Sequence, residues 1–189
     1  MPRRLSRTLA LLLAGAALVS AGCADDVAPA VRVGDTTLGD SQILDETEQF
    51  AGNGAILDAA MFDGDAPSTR PADLVRQVIA QRIHFELHRQ LFDEAGLELS
   101  DAAVDEAFAK AYMDPDQAAD VLAGFDDEGF ADEYRRDVAR MVILQEALGA
   151  DYQATVSERY ATEDIEVSPR FGDWDRARSQ IVPATLPEG

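Results

Sequence analysis

The chain has 189 residues, 47% of them apolar, with 16 Lys and Arg against 36 Asp and Glu and a formal net charge of −20. That length fits one ordinary domain around a modest core, and the apolar content argues against a fully disordered chain. The acidic excess argues against a nucleic-acid binder, since phosphate affinity needs clustered cations; one cysteine rules out an internal disulfide framework or Cys-based zinc site, and two histidines leave little for imidazole catalysis.

In chain order, Arg3, Arg4 and Arg7 precede an uninterrupted apolar run from Leu9 to Val19, then Ser20, Ala21, Gly22 and the lone Cys23. A basic start, a short apolar stretch and small residues are the parts of an export signal, too short to span a bilayer as a stable helix. The cysteine directly after the small residues resembles the lipobox of bacterial lipoproteins, although Ser20 stands where Leu is usual. In that family the cysteine is linked to diacylglycerol and becomes the mature N-terminus. The resemblance implies lipidation of Cys23 and a place on the extracytoplasmic face of the cell membrane. The competing reading is ordinary signal-peptidase cleavage near Ala21 or Gly22, which leaves a secreted protein. Residues 23–30 form a short polar tether. The part after residue 22 carries 13 basic and 36 acidic residues, so anionic headgroups repel it and only the lipid would hold it to the membrane.

Val31 to Leu38 reads as two short alternating runs around Gly34-Asp35, a hairpin or bent strand. Asp40 or Ser41 can cap a helix through Ile43, Leu44, Thr47 and Phe50, ended near Gly52-Asn53-Gly54. Residues 55–68 give mixed signals, with Met61-Phe62 as a packing candidate. Ser68 or Thr69 with Pro71 opens the clearest helix, running to about Ala95. At 100° per residue Leu74, Val78, Phe85 and Phe92 share one side, while Val75, Ile79, Ile83, Leu87 and Leu91 spread over the rest. Such a broad apolar surface predicts a central helix packed on more than one neighbour. Gly96 suits the position past its end. Ser100 is an N-cap, with Leu99 and Val104 as a hydrophobic staple, for a helix carrying Val104, Phe108 and Tyr112. A short helix follows over 117–123. The second strong helix starts near Asp126 to Glu128 and holds Phe130, Tyr134, Val138, Met141, Leu144 and Leu148 within about 120° of one another. Gly149 ends or breaks it, and 152–160 add a last turn or two. Ile165-Glu166-Val167 alternates into a turn at Pro169 to Gly172; Trp174 and Ile181-Val182 follow, and the Pro-rich tail should fray.

Taken in order, Val31 to Leu38 (VRVGDTTL), Leu74 to Ile83 (LVRQVIAQRI), Ala95 to Val104 (AGLELSDAAV) and Ile165 to Asp175 (IEVSPRFGDWD) resemble the SurA N-terminal domain of extracytoplasmic chaperones and foldases. The resemblance implies a mainly α fold, a helical bundle over 31–162, with a small β-sheet formed by the N-terminal segment and the C-terminal segment, 163–189. Many members also carry a parvulin prolyl-isomerase domain, which this chain has no residues left to build, so no isomerase activity and no cofactor are carried over. The implied partners are unfolded or exported polypeptides. A structural or accessory lipoprotein with one dedicated envelope partner is the alternative. Binding would bury client side chains in an apolar groove, worth about 25 cal/mol per Å². Its expected walls carry Leu74, Val78, Phe85 and Phe92 on one helix and Phe130, Tyr134 and Met141 on the other; the bland reading of the same stripes is a closed core.

His84 and His88, at i and i+4, could present a metal face, but the Glu between them is one place too late for His-Glu-x-x-His. They share a stripe with Gln77 and Gln81 that reads as a solvated strip, where they would titrate near pH 6.5. The Asp114-Pro115-Asp116 run fails as a calcium loop at Ala118, Ala119 and Phe125, so no metal site is expected. Arg170 and Trp174, at the C-terminal turn, read either as an ion pair and a cover for the sheet or as a recognition spot for a partner.

Overall fold

The computed structural model describes residues 29–58, 71–112 and 115–184. Met61-Phe62, Cys23 and the end of the Pro-rich tail lie outside them. Among the described residues the fold is mainly helical, with small antiparallel sheets built from N- and C-terminal strands.

β1 (Val31–Val33) turns through Gly34, at φ +56, into β2 (Thr36–Leu38). The positive φ suits glycine, and its Cβ position lies 2.7 Å from the Glu163 carboxylate, so a side chain here would collide as well as strain. β1 is the central strand of order β2-β1-β3, and β3 (Ile165–Val167) pairs with it antiparallel, Val31 opposite Val167 and Val33 opposite Ile165. The alternation does its work: Val31 and Val33 are buried, while Arg32 points outward to Asp164 at 3.0 Å and Glu166 at 2.7 Å. The chain therefore leaves β1, builds its helices and returns to close the sheet.

α1 (Asp40–Gly52) begins one residue earlier than a cap at Asp40 requires and two earlier than one at Ser41; Gly39 occupies the N-cap, without a side-chain bond. A short α2 (Gly54–Asp58) follows, which the mixed signals of 55–68 did not reveal. Buried Asn53 stitches this corner, accepting from Ile56 N at 3.1 Å and donating to Val121 O at 2.7 Å.

α3 (Pro71–Glu94) is central, as its broad apolar surface predicts. Pro71 sits at the start, where its missing N–H costs nothing. One side contributes Ile79, Ile83, Leu87, Leu91 and Phe92 to a core shared with the sheet. Another sends Leu74, Val78 and Phe85 into a second core with Phe50, Phe108, Val121, Phe125 and Tyr134. Gly96 at φ +64 ends the helix. α4 (Asp101–Ala111) is capped by Ser100, whose Oγ accepts from Ala103 N at 3.2 Å, and Leu99 packs with Val104 as the staple predicts. α5 (Pro115–Ala123) leads to α6 (Glu128–Leu148), capped by Asp127 accepting from Phe130 N at 2.8 Å. α6 crosses both α3 and α4.

Gly149, at φ +54, breaks the helix into a 3-10 turn (Gly149–Asp151), and the chain resumes as α7 (Tyr152–Thr162). This is a full three-turn helix, where the sequence promised a turn or two. The C-terminal segment then forms β4 (Asp173–Asp175) and β5 (Gln180–Val182), a two-stranded antiparallel hairpin of its own. No helix of the described residues is long and apolar enough to cross a membrane.

Candidate functional site

The residues expected to wall an open groove are packed instead. Leu74, Val78, Phe85 and Tyr134 are buried in the second core, with Phe130 and Met141 half-buried at its margin. Phe92 belongs to the other core, on the sheet side. The reason is aromatic geometry. Phe50 reaches from α1 into the gap between α3 and α6 and meets Phe125, Phe130 and Tyr134 edge-on at 5.8, 5.6 and 5.9 Å. Phe85 meets Tyr134 at 5.9 Å, and the contact leaves no water-sized space. α1 thus covers the aromatic face shared by α3 and α6. Among the described residues Leu44 is the one large apolar side chain that stands exposed.

Beside this plug lies an open, polar cleft of about 360 Å³, lined by Ser41, Gln42, Asp45, Glu46 and Gln49 of α1, Arg82 of α3, and Asp127, Phe130 and Glu133 around the start of α6. Its base is a buried ion cluster. Glu46 grips Arg82 with both oxygens, at 2.5 Å to Nε and 2.6 Å to Nη2, while Glu133 at 3.1 Å and Asp137 at 3.3 Å take Nη1. Asp137 also receives Arg140 at 2.5 Å. Burial opposes the Arg82 charge, but the Glu46 hydrogen bonds and the surrounding carboxylates outweigh it and hold the guanidinium above its ordinary pKa. For Asp137 burial wins over Arg82 and Arg140, and its pKa rises to about 6. The cluster joins side chains of α1, α3 and α6, and no one of these segments displays it alone.

The two histidines are not on a solvated strip. The same stripe of α3 that carries them is covered by α7 and by the β4–β5 hairpin, both of which the sequence understated. His88 is only 2% exposed. Its Nδ1–H donates to the His84 carbonyl at 2.7 Å, and its Nε2 accepts from the Tyr152 hydroxyl at 2.9 Å. His84 adopts the opposite arrangement: Nε2–H donates to the Ser179 carbonyl at 3.2 Å and Nδ1 accepts from the Tyr160 hydroxyl. Burial pushes the His88 pKa down to about 4, with the neighbouring His84 adding to the fall and the bond to the His84 carbonyl opposing it. The expectation of titration near pH 6.5 is corrected for this residue.

Arg170 and Trp174 both have partners within the fold. Arg170 pairs with Asp40 at the start of α1 and lies over the Phe171 ring at 4.9 Å. Trp174 packs half-buried on the sheet-side core, its ring 6.2 Å from His84 and 6.4 Å from Tyr160. Among the described residues no group of three or more His, Cys, Asp or Glu is placed to hold a metal ion. No family model matches the chain, and no curated protein or solved structure matches it either.

The arrangement is thus two large cores and a small third one between α4 and α6, an acidic cleft built on a buried arginine, and a histidine pair under a C-terminal hairpin. It offers contacts of shape and charge. The ring nitrogens and the hydroxyls that bond them are turned toward one another.

Proposed function

We propose that this chain is a lipid-anchored, extracytoplasmic chaperone-like protein of the SurA N-terminal type, binding non-native polypeptides without making or breaking bonds. The observation that carries the reading is the closure of β3 onto β1 around the intervening helices, the chain path that the resemblance implies. Cys23 is the anchor, and residues 23–30 are the short tether between the lipid and the body.

The closed cores move the binding mechanism away from an open apolar groove. Client contact falls instead on the acidic surface, where the cleft between α1 and α6 accepts cationic side chains beside Phe130. Such contacts are screened by salt, with a Debye length of about 10 Å at 0.1 M. Equimolar protein should slow the aggregation of an unfolded basic client at low ionic strength and lose that effect above about 0.5 M salt. Unchanged client aggregation at low salt rejects the reading.

The absence of an exposed apolar face among the described residues, Leu44 apart, favours a second reading, an accessory envelope lipoprotein with one dedicated partner. Recovery of a single stoichiometric partner by affinity capture, with no retention of unfolded clients, selects it.

A further inference from the structure

Three carboxylates share two guanidinium groups at the base of the acidic cleft, so the cluster carries one negative charge in excess. Arg82 gives Nε and Nη2 to Glu46 and divides Nη1 between Glu133 at 3.1 Å and Asp137 at 3.3 Å. Arg140 gives its Nη1 to the other oxygen of Asp137 at 2.5 Å. Glu133 and Asp137 hold the same nitrogen from different surroundings. The Glu133 side chain is 53% exposed and lines the cleft, while Asp137, 7% exposed, lies behind the lining. The cleft also shows how this chain holds a guanidinium. That of Arg82 sits between carboxylates and over the Phe130 ring, 6.0 Å from its centroid, and a client's arginine or lysine would meet the same ring and acids.

We propose that Asp137 is a proton sensor behind the cleft: uptake of one proton there weakens the hold on cationic side chains, so that basic polypeptide is bound near neutral pH and released in mild acid. The inference rests on the binding role proposed above for this cleft and adds its regulation. Protonation cancels the excess charge of the cluster. It also leaves Arg82 Nη1 with Glu133 as its one ionic partner, which spends on Arg82 a carboxylate that faces the cleft. Both effects act against an incoming cation, and neither requires an element of the fold to move. Asp137 takes the proton because burial outweighs the pull of Arg82 and Arg140, with Glu133 adding to the rise; its pKa is about 6, well above the range near 4 of an ordinary carboxylate. From α3 it faces Arg82, from its own helix Glu133 and Arg140, and Glu46 of α1 reaches it through Arg82. The other charges around α6 are engaged elsewhere or turned outward. Asp101, Asp105 and Lys110 of α4 bind Arg136, Arg135 and Glu146, Arg159 of α7 binds Glu94 and Glu163, and α5 exposes Asp116 and Asp120. Across about 10 Å, in a dielectric between those of a protein surface and bulk water, one unit charge changes the affinity for a cation about fivefold. By linkage a bound cation lowers the Asp137 pKa by the same factor.

Titration calorimetry of the full chain with an acetylated tetra-arginine amide, whose charge is constant over the range, tests this at low ionic strength. The affinity should fall about fivefold between pH 7.5 and pH 5. Asp137→Asn should bind weakly at both values, without the pH dependence. Asp45→Asn with Glu133→Gln, on the cleft lining, should weaken binding at pH 7.5 at least threefold. A peptide that does not bind, or that ignores the lining substitutions, overturns the cleft as binding site and the sensor with it. Binding that depends on the lining and is equally tight at both pH values overturns the sensor alone, as does a fall that persists in Asp137→Asn. If that variant does not fold, carbon NMR of the wild-type Asp137 carboxyl replaces it: saturating peptide should lower the titration midpoint by about 0.7 pH unit, the same fivefold factor, and an unmoved midpoint overturns the sensor.

Discussion

His88 offers the sharpest energetic test, because its burial sets both the sign and the size of a pH effect. In the unfolded chain the ring titrates near 6.5, and in the folded protein near 4. Between those values the unfolded chain binds the proton and the folded one does not. Stability is therefore complete above about pH 6.5 and falls as the pH drops toward 4. The difference of about 2.5 pK units converts to about 3 kcal/mol, of which about 2.5 kcal/mol is lost by pH 4.5. His88→Asn keeps a donor toward the His84 carbonyl and cannot titrate. Urea unfolding of wild type and variant, at pH 7.5 and again at pH 4.5, gives four free energies. Wild type should exceed the variant at pH 7.5, and that advantage should shrink by about 2.5 kcal/mol at pH 4.5. Other titrating groups are common to both proteins and cancel in the comparison. An advantage that stays constant within about 0.5 kcal/mol would falsify the linkage, and with it the claim that His88 is held neutral by burial.

Asp137 should show the opposite slope. Its folded pKa of about 6 lies above the ordinary value of 3.8, so its contribution grows as the pH falls from 7 to 4; Asp137→Asn should remove a gain of about 2 to 3 kcal/mol in the same denaturation series. Arg82→Ala strips the cation from Glu46 and Asp137, both under 8% exposed, and should cost about 3 to 5 kcal/mol near pH 7, read as a drop in the urea midpoint; an unchanged midpoint removes the cluster from the energetics. Gly172→Ala places a Cβ 2.2 Å from the Val182 backbone oxygen at φ +127. It should cost about 2 to 3 kcal/mol and loosen the hairpin, measurable as a lower melting temperature with higher Trp174 quenching.

Local signals in the sequence named the helices that carry their own punctuation. Ser100 and Leu99 with Val104, Gly96, and Pro71 each stand where the corresponding cap, staple, stop or start is observed. What escaped detection depends on contacts distant in sequence. The stripe that carries His84 and His88 looks polar in projection, and only the arrival of α7 and the hairpin, 64 and 95 residues away, covers the two rings. Tyr152 and Tyr160, which supply the hydroxyls, stand at i and i+8 in α7, and nothing local in the sequence says which helix they meet. The groove expectation failed for a related reason. Amphipathicity states that a face is covered and leaves open by what; here the cover is Phe50 of the chain's own first helix. Glu46, with Ile43 and Phe50 as the buried residues of α1, sits on the inward face at i+3 and i−4 of those two. That spacing could have marked it as a buried acid in search of a cation.

The partners in the central sheet are far apart in time as well as in sequence. Arg32 meets Glu166 across 134 positions, so β1 emerges from the ribosome long before β3 exists to cover its second edge. Until β3 is made, Val31 and Val33 have only the short β2 beside them in the sheet, and the helices assemble on an unfinished floor. A chain released before Ile165 lacks the strand that closes the sheet over the second edge of β1.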